Sequence, residues 1–190
     1  SESPHVVTLH DVFDEPDFAY IVMERFSGGK LIDRIIEKKY YGEDDARAVA
    51  TNLLLGLEHC HNRRIAVRNI TTDNIMLSDP DDYTDVKICD FGFAKRVLYP
   101  NALSTQCGTE GYVAPEILEF RPEYDVQCDM WSLGVTIYML LGGYRPFRGD
   151  QNEIARCIRY GEYKFHKRYW STISEEAKIL ISRMLTVSPI

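Results

Sequence analysis

Apolar and polar residues follow two different periods along this chain. His5 to Phe13 and Phe18 to Arg25 are rich in β-forming residues and flank Asp14-Glu15-Pro16-Asp17, a turn composition, so the pattern predicts a hairpin. Ser27-Gly28-Gly29 breaks the run, and Leu31, Ile32, Ile35 and Ile36 then recur at helical spacing ahead of Gly42. A long helix is predicted from Glu43 to Arg63. Its first turn carries Glu43, Asp44 and Asp45 and its end carries Arg63 and Arg64, which suits the helix dipole. Ala46, Val49, Ala50, Leu53, Leu54 and Leu57 mark the expected buried face. Asn74 to Leu77 and Asp85 to Cys89 flank Asp79-Pro80-Asp81-Asp82 and predict a second hairpin. Phe93 to Val113 shows little periodicity, and irregular stretches of that length are usually functional or mobile. Cys128 to Leu141 is apolar nearly all round and reads as a central buried helix. Asn152 to Tyr160 and Ser174 to Thr186 read as amphipathic helices, the second with Ser174 as N-cap. The sum is an α+β chain, mostly helical, with strands near its start and middle.

Composition narrows the function classes. With 190 residues, 45% of them apolar, there is enough material for a sizeable core, which excludes disorder across the whole chain. Met130 to Gly143 is too short for a membrane span and is interrupted by Ser132 and Thr136, so no membrane partner is expected. A net charge of −7 argues against a nucleic-acid binder, which needs clustered Lys and Arg. The five cysteines are far apart and form no CxxC pair, so they read as reduced thiols of a cytoplasmic protein. Ser1-Glu2-Ser3-Pro4-His5 has no initiator Met or targeting core, and the chain reads as an internal fragment.

Candidate chemistry sits at the second hairpin. Asn74 opens its first strand and Asp90-Phe91-Gly92 follows its second, so pairing would bring together an amide carbonyl and a carboxylate, hard oxygen ligands suited to magnesium. The tripeptide gains meaning from its company. Ile65-Ala66-Val67-Arg68-Asn69-Ile70-Thr71-Thr72-Asp73-Asn74, Asp90-Phe91-Gly92, Cys107-Gly108-Thr109-Glu110-Gly111-Tyr112-Val113-Ala114-Pro115-Glu116 and Asp129-Met130-Trp131-Ser132-Leu133-Gly134 occur in the order and at the spacings of protein kinases. The chain resembles the eukaryotic protein kinase domain, and within it the calcium/calmodulin-dependent group, including kinases activated by mitogen-activated kinases. Phe91-Gly92-Phe93-Ala94-Lys95 and Gly142-Gly143-Tyr144-Arg145-Pro146-Phe147 carry that subgroup likeness.

The resemblance implies that residues 1–25 are a remnant of the small-lobe sheet and residues 26–190 a large lobe truncated before its last helix. The Gly-rich loop, the phosphate-pairing Lys and its Glu partner are not among the motifs found. It assigns ATP and magnesium as cofactors and a protein or peptide as substrate or docking partner. Asp90 and Asn74 take the metal positions, Met76 the floor beneath adenine, Met23 the back of the nucleotide pocket, and Glu24 and Phe26 the hinge. Thr105 falls where activating phosphorylation occurs in the subgroup, with Ser104 as competitor and Arg68 as the expected phosphate partner. Lys30 occupies a position where basophilic members carry a Glu that attracts an Arg of the substrate, and Asp73 keeps a negative charge at a second recognition position.

The chain departs from the family pattern in the catalytic loop. His-Arg-Asp reads Val67-Arg68-Asn69, and an amide cannot accept the substrate hydroxyl proton as a carboxylate does. Thr71 stands where the family has a Lys, which removes a cation near the transferring phosphoryl. Loss of a general base costs roughly 10²–10⁴-fold in rate. A binding module of the pseudokinase kind is therefore expected. The alternatives are an active Ser/Thr kinase in a full-length form and a fragment without function of its own.

Overall fold

The computed structural model describes residues 3–187. The outer limits of the two expected regions, at 1 and 190, lie outside the described residues. In chain order the elements are β1 (Leu9–Asp14), β2 (Ala19–Met23), α1 (Leu31–Lys38), α2 (Glu43–His61), β3 (Ile65–Ala66), β4 (Ile75–Leu77), β5 (Val86–Ile88), β6 (Lys95–Arg96), a 3-10 turn (Pro115–Leu118), α3 (Cys128–Gly142), α4 (Gln151–Tyr160), α5 (Lys167–Trp170) and α6 (Glu175–Met184). The strands form separate antiparallel pairs, β1 with β2, β3 with β6 and β4 with β5.

The first hairpin is shorter than its sequence pattern. Residues 5–7 leave it and dock on β5: the Ile88 N–H donates to His5 O at 3.0 Å and the Val7 N–H to Ile88 O at 2.9 Å. Gly56 on α2 makes room for this crossing, since a Cβ there would lie 2.9 Å from His5 O. Helix α2 ends at His61 rather than Arg63, because Arg64 takes a φ of 58° and turns the chain into β3. Its inner face is the expected one with one correction. Leu54 is 37% exposed, facing a groove shared with Leu180 of α6. Gly56 and Cys60 are buried on that helix instead.

Helix α3 is the centre of the large body. Leu133, Val135 and Leu140 are fully buried on it, and each such aliphatic side chain contributes roughly 1.5–3 kcal/mol relative to exposure. Trp131 stacks on Phe147 with ring centroids 5.7 Å apart, and Tyr138 is enclosed by Tyr144, Tyr163, Phe165 and Trp170. Gly143, with φ 72°, stops the helix in a left-handed cap whose N–H donates to Met139 O at 2.9 Å. This rigid helix also carries Asp129 in its first turn, the residue on which the catalytic loop hangs.

Candidate functional site

The loop 67–74 is held by Asp129. Its buried carboxylate accepts the Val67 N–H at 2.8 Å on Oδ2 and the Arg68 N–H at 2.6 Å on Oδ1. His61 Nε2 stands 2.9 Å from Oδ2 and, facing a group that only accepts, is the donor. These bonds hold Arg68 at a φ of 66°, a left-handed conformation costing about 1–3 kcal/mol for such a residue and persisting only where its surroundings fix it. Val67, where the family has His, is fully buried as an apolar core residue.

The second hairpin brings Asn74 and Asp90 together, as the pairing of its two strands implies. Ile75 pairs with Ile88 across β4 and β5, and the Cys89 N–H donates to Asn74 O at 3.1 Å, so Asn74 and Asp90 leave the hairpin side by side. Asn74 Nδ2 donates to Asn69 O at 3.2 Å, which leaves its carbonyl oxygen free to ligate a cation. Asp90 Oδ1 accepts the Gly92 N–H at 2.8 Å and Oδ2 accepts Asn69 Nδ2 at 3.0 Å. Asn69 Oδ1 in turn accepts the Thr109 hydroxyl at 2.7 Å. Asn69, Asn74 and Asp90 are therefore one bonded cluster. Each Asp90 oxygen keeps a second lone pair, so an amide carbonyl and a carboxylate remain as hard oxygen donors, a set that fits magnesium.

Thr71 is buried and contributes to the loop through its carbonyl, which accepts the Asn74 N–H at 3.0 Å. Its own side chain is a neutral hydroxyl and carries no positive charge. Arg68 and Thr105 are linked only through an intermediary. Arg68 Nη1 donates to Tyr124 Oη at 3.0 Å, and that hydroxyl donates to the Thr105 carbonyl at 2.5 Å. Arg68 Nε also holds Phe93 O at 2.7 Å. Burial pushes the Tyr124 phenol up to about 12, against the opposing hydrogen bond from Arg68, so it stays protonated and able to donate at neutral pH.

At the hinge, Met23 ends β2 and is 43% exposed, whereas Met76 is half-buried in β4, opposite Lys87. The Glu24 N–H is used in the hairpin, donating to Thr8 O at 3.0 Å. The Glu24 carboxylate accepts from the Thr8 N–H at 2.6 Å and from Lys87 Nζ at 2.7 Å. Burial raises its pKa, but the Lys87 and Thr8 hydrogen bonds outweigh that and hold it below the ordinary carboxylate value. The backbone of Phe26 has no backbone partner among the described residues and is open to a ligand. Lys30 and Asp73, both expected at recognition positions from the kinase resemblance, face each other at 4.0 Å.

An apolar groove lined by Val113, Ile117, Leu118, Ile154 and Ile158 opens beyond the Thr109 segment. Glu116, which lines a separate cavity with Trp131 and Met184, is raised above the ordinary carboxylate value by burial, with the nearby Asp125 charge adding to the shift. Five participants are not singled out by the sequence: Thr109 and Asp129 lie inside kinase-like motifs, and nothing in the local pattern distinguishes Tyr124, His61 and Lys87 from ordinary surface or core residues.

Comparison with known proteins agrees with this geometry. The whole chain, residues 1–190, matches the protein kinase domain family. It is 38% identical over 194 aligned residues to ribosomal protein S6 kinase alpha-3 of Homo sapiens, covering 99% of this chain and 26% of that protein. It is 39% identical to myosin light chain kinase A of Dictyostelium discoideum, covering 97% of this chain and 62% of that one. Serine/threonine-protein kinase DCLK3 of Homo sapiens is 40% identical, with 98% and 29% covered. The chain thus spans about a quarter to three-fifths of the length of these relatives. With its motif order, its bonded loop and these likenesses together, the chain belongs to the protein kinase domain family.

Proposed function

We propose that this Ser/Thr kinase-family chain acts as a pseudokinase-like module that docks nucleotide and a protein or peptide partner without efficient phosphotransfer. The carrying observation is the Asn69 amide at the base position, with its NH2 turned toward Asp90 and its oxygen occupied by Thr109. A group in that state has no basic site for a substrate hydroxyl. Thr71 offers no positive charge to a transferring phosphoryl. ATP and magnesium are the cofactors of the family. Bound magnesium would supply charge neutralisation at phosphate oxygens, held by Asp90 and the Asn74 carbonyl.

Nucleotide binding on this reading is weak and magnesium-dependent, with Met76 under the adenine, Met23 behind it, and the backbone at Glu24 and Phe26 along its edge. The apolar groove beside Val113 and Ile158 and the mixed pair Lys30 and Asp73 support a peptide partner over nucleic acid or a membrane. A cytoplasmic location is part of the proposal, supported by five free cysteines. Calorimetric titration of ATP with and without magnesium tests the binding half. Weak binding that needs the metal and falls on Asp90→Ala is expected. Equal affinity without metal, or none lost in the variant, would contradict the assignment.

A further inference from the structure

We infer that the Asn69 amide takes the place of a divalent cation in the nucleotide-free chain, tying the Asp90 turn to the Thr109 segment so that their arrangement is independent of magnesium. The inference rests on reading residues 69, 74 and 90 as the kinase base and metal positions.

The chemistry of the partners permits one orientation of the amide. A carboxylate only accepts, so the NH2 faces Asp90 Oδ2, 3.0 Å away, and the carbonyl oxygen receives the Thr109 hydroxyl at 2.7 Å. Donating to a carboxylate while accepting from a hydroxyl is what an amide does and what an isosteric carboxylate or Leu cannot. The residue is tied at its backbone as well, since Asn69 O accepts Asn74 Nδ2 at 3.2 Å. Asn69 is only 6% exposed, so a partner left unmet here would not be satisfied by bulk water.

The consequence appears on exchanging amide for acid. An Asp at this position would present a second anionic oxygen 3.0 Å from that of Asp90, and like charges at such a separation in a half-buried site repel strongly unless a cation lies between them. Asn69 removes that requirement. It is a positioning residue: its hydrogen bonds fix where Asp90 and the segment after Cys107 stand relative to each other, whatever binds later.

Thermal melting of the full chain without nucleotide, in EDTA and in millimolar magnesium chloride, tests this for the wild type and Asn69→Asp. The wild type is expected to melt at one temperature in both buffers. Asn69→Asp is expected to melt lower in EDTA, by about 2–4 °C or more, and to recover most of that loss in magnesium. A variant that melts with the wild type in EDTA, a loss that magnesium leaves in place, or a wild type that gains as much from magnesium as the variant would overturn the inference. Should Asn69→Asp not fold, Thr109→Val removes only the hydroxyl donor. It is expected to melt about 2–4 °C lower in either buffer, and melting at the wild-type temperature would overturn the inference. Phosphotransfer by the wild-type chain would overturn the proposed function and leave these melts standing, whereas a magnesium-dependent wild-type melt would do the reverse.

Discussion

Lys30 Nζ lies 4.0 Å from Asp73 Oδ1, so the two residues proposed for peptide recognition form an ion pair between the start of α1 and the loop 67–74. Both side chains are about half exposed, 51% for Lys30 and 48% for Asp73, so the pair is weak and easily rearranged. A basic peptide meets a mixed surface there. Lys30→Glu would turn the pair into two acids and should tighten binding of an Arg-containing peptide over its Glu-containing counterpart, by about fivefold for a charge effect near 1 kcal/mol. Fluorescence anisotropy with both peptides measures it, and an unchanged preference would remove Lys30 from the recognition surface.

The path from Arg68 through Tyr124 to Thr105 predicts that the irregular segment is held by a neutral phenol. Tyr124→Phe takes away the acceptor for Arg68 and the donor for the Thr105 carbonyl at a buried position. A loss of about 1–3 kcal/mol is expected, seen as a lower melting temperature and faster proteolysis between residues 98 and 110. A phosphate on Thr105 would compete with Tyr124 for Arg68, so phosphorylated chain should lose less on Tyr124→Phe than unmodified chain. Equal protease resistance of wild type and variant would show that the segment is fixed by other contacts.

Glu43, at the start of α2, joins the far end of the chain. Its Oε1 accepts the Ser174 hydroxyl at 2.6 Å and its Oε2 the Ser174 N–H at 2.9 Å, and the same hydroxyl accepts from Ala177 N at the start of α6. The Ser174 side-chain hydrogen bond, followed by its backbone hydrogen bond, holds the Glu43 carboxyl below its ordinary 4.5. A carboxylate depressed in the folded state stabilises it above the unfolded pKa, and that stability fades as pH falls through the folded value. Glu43→Gln should therefore melt about 2–4 °C below wild type at pH 7 for a loss near 1 kcal/mol. The gap should close as the pH drops below about 4.5. A gap that stays constant from pH 7 to pH 3.5 would assign the effect to shape rather than charge.

The hairpin β1–β2 exposes apolar side chains on both of its faces: Leu9 is 58% exposed, Phe13 52%, Phe18 66% and Ile21 60%. Such patches drive association. The chain alone should be poorly soluble, and Phe18→Glu with Ile21→Lys should reduce light scattering while shifting the melting temperature by less than about 2 °C, since exposed substitutions usually cost little. A chain that is already a stable monomer at high concentration would contradict this.

Much of this fold is legible in the sequence because its signals are local. The breaker Ser27-Gly28-Gly29, the acidic start of α2 and the apolar run of α3 each specify an element without reference to the rest, and the turn at Asp79 to Asp82 sets the register that joins Asn74 to Asp90. The docking of residues 5–7 on β5 was not legible, because a strand-like run does not reveal which edge it meets. Likewise Leu54 fits the helical stripe but sits at its flank. At the site, the substitutions at Asn69 and Thr71 stand out only against the family pattern. What Asn69 does instead depends on Thr109, forty residues on, and on the hairpin that delivers Asp90, and no spacing rule joins those three. Tyr124 is similar: its hydroxyl bridges two distant segments, so its function is visible only in three dimensions.

The most direct measurement of the central claim is transfer of labelled γ-phosphate from ATP to a generic Ser/Thr peptide by the purified chain in magnesium, alongside Val67→His/Asn69→Asp/Thr71→Lys. The wild type is expected to incorporate no label above a no-enzyme control, because it lacks a base at position 69 and a cation at position 71, and the triple variant, which restores both side chains, serves as the comparison. Robust peptide phosphorylation by the wild-type chain, free of contaminating kinase, would contradict the account.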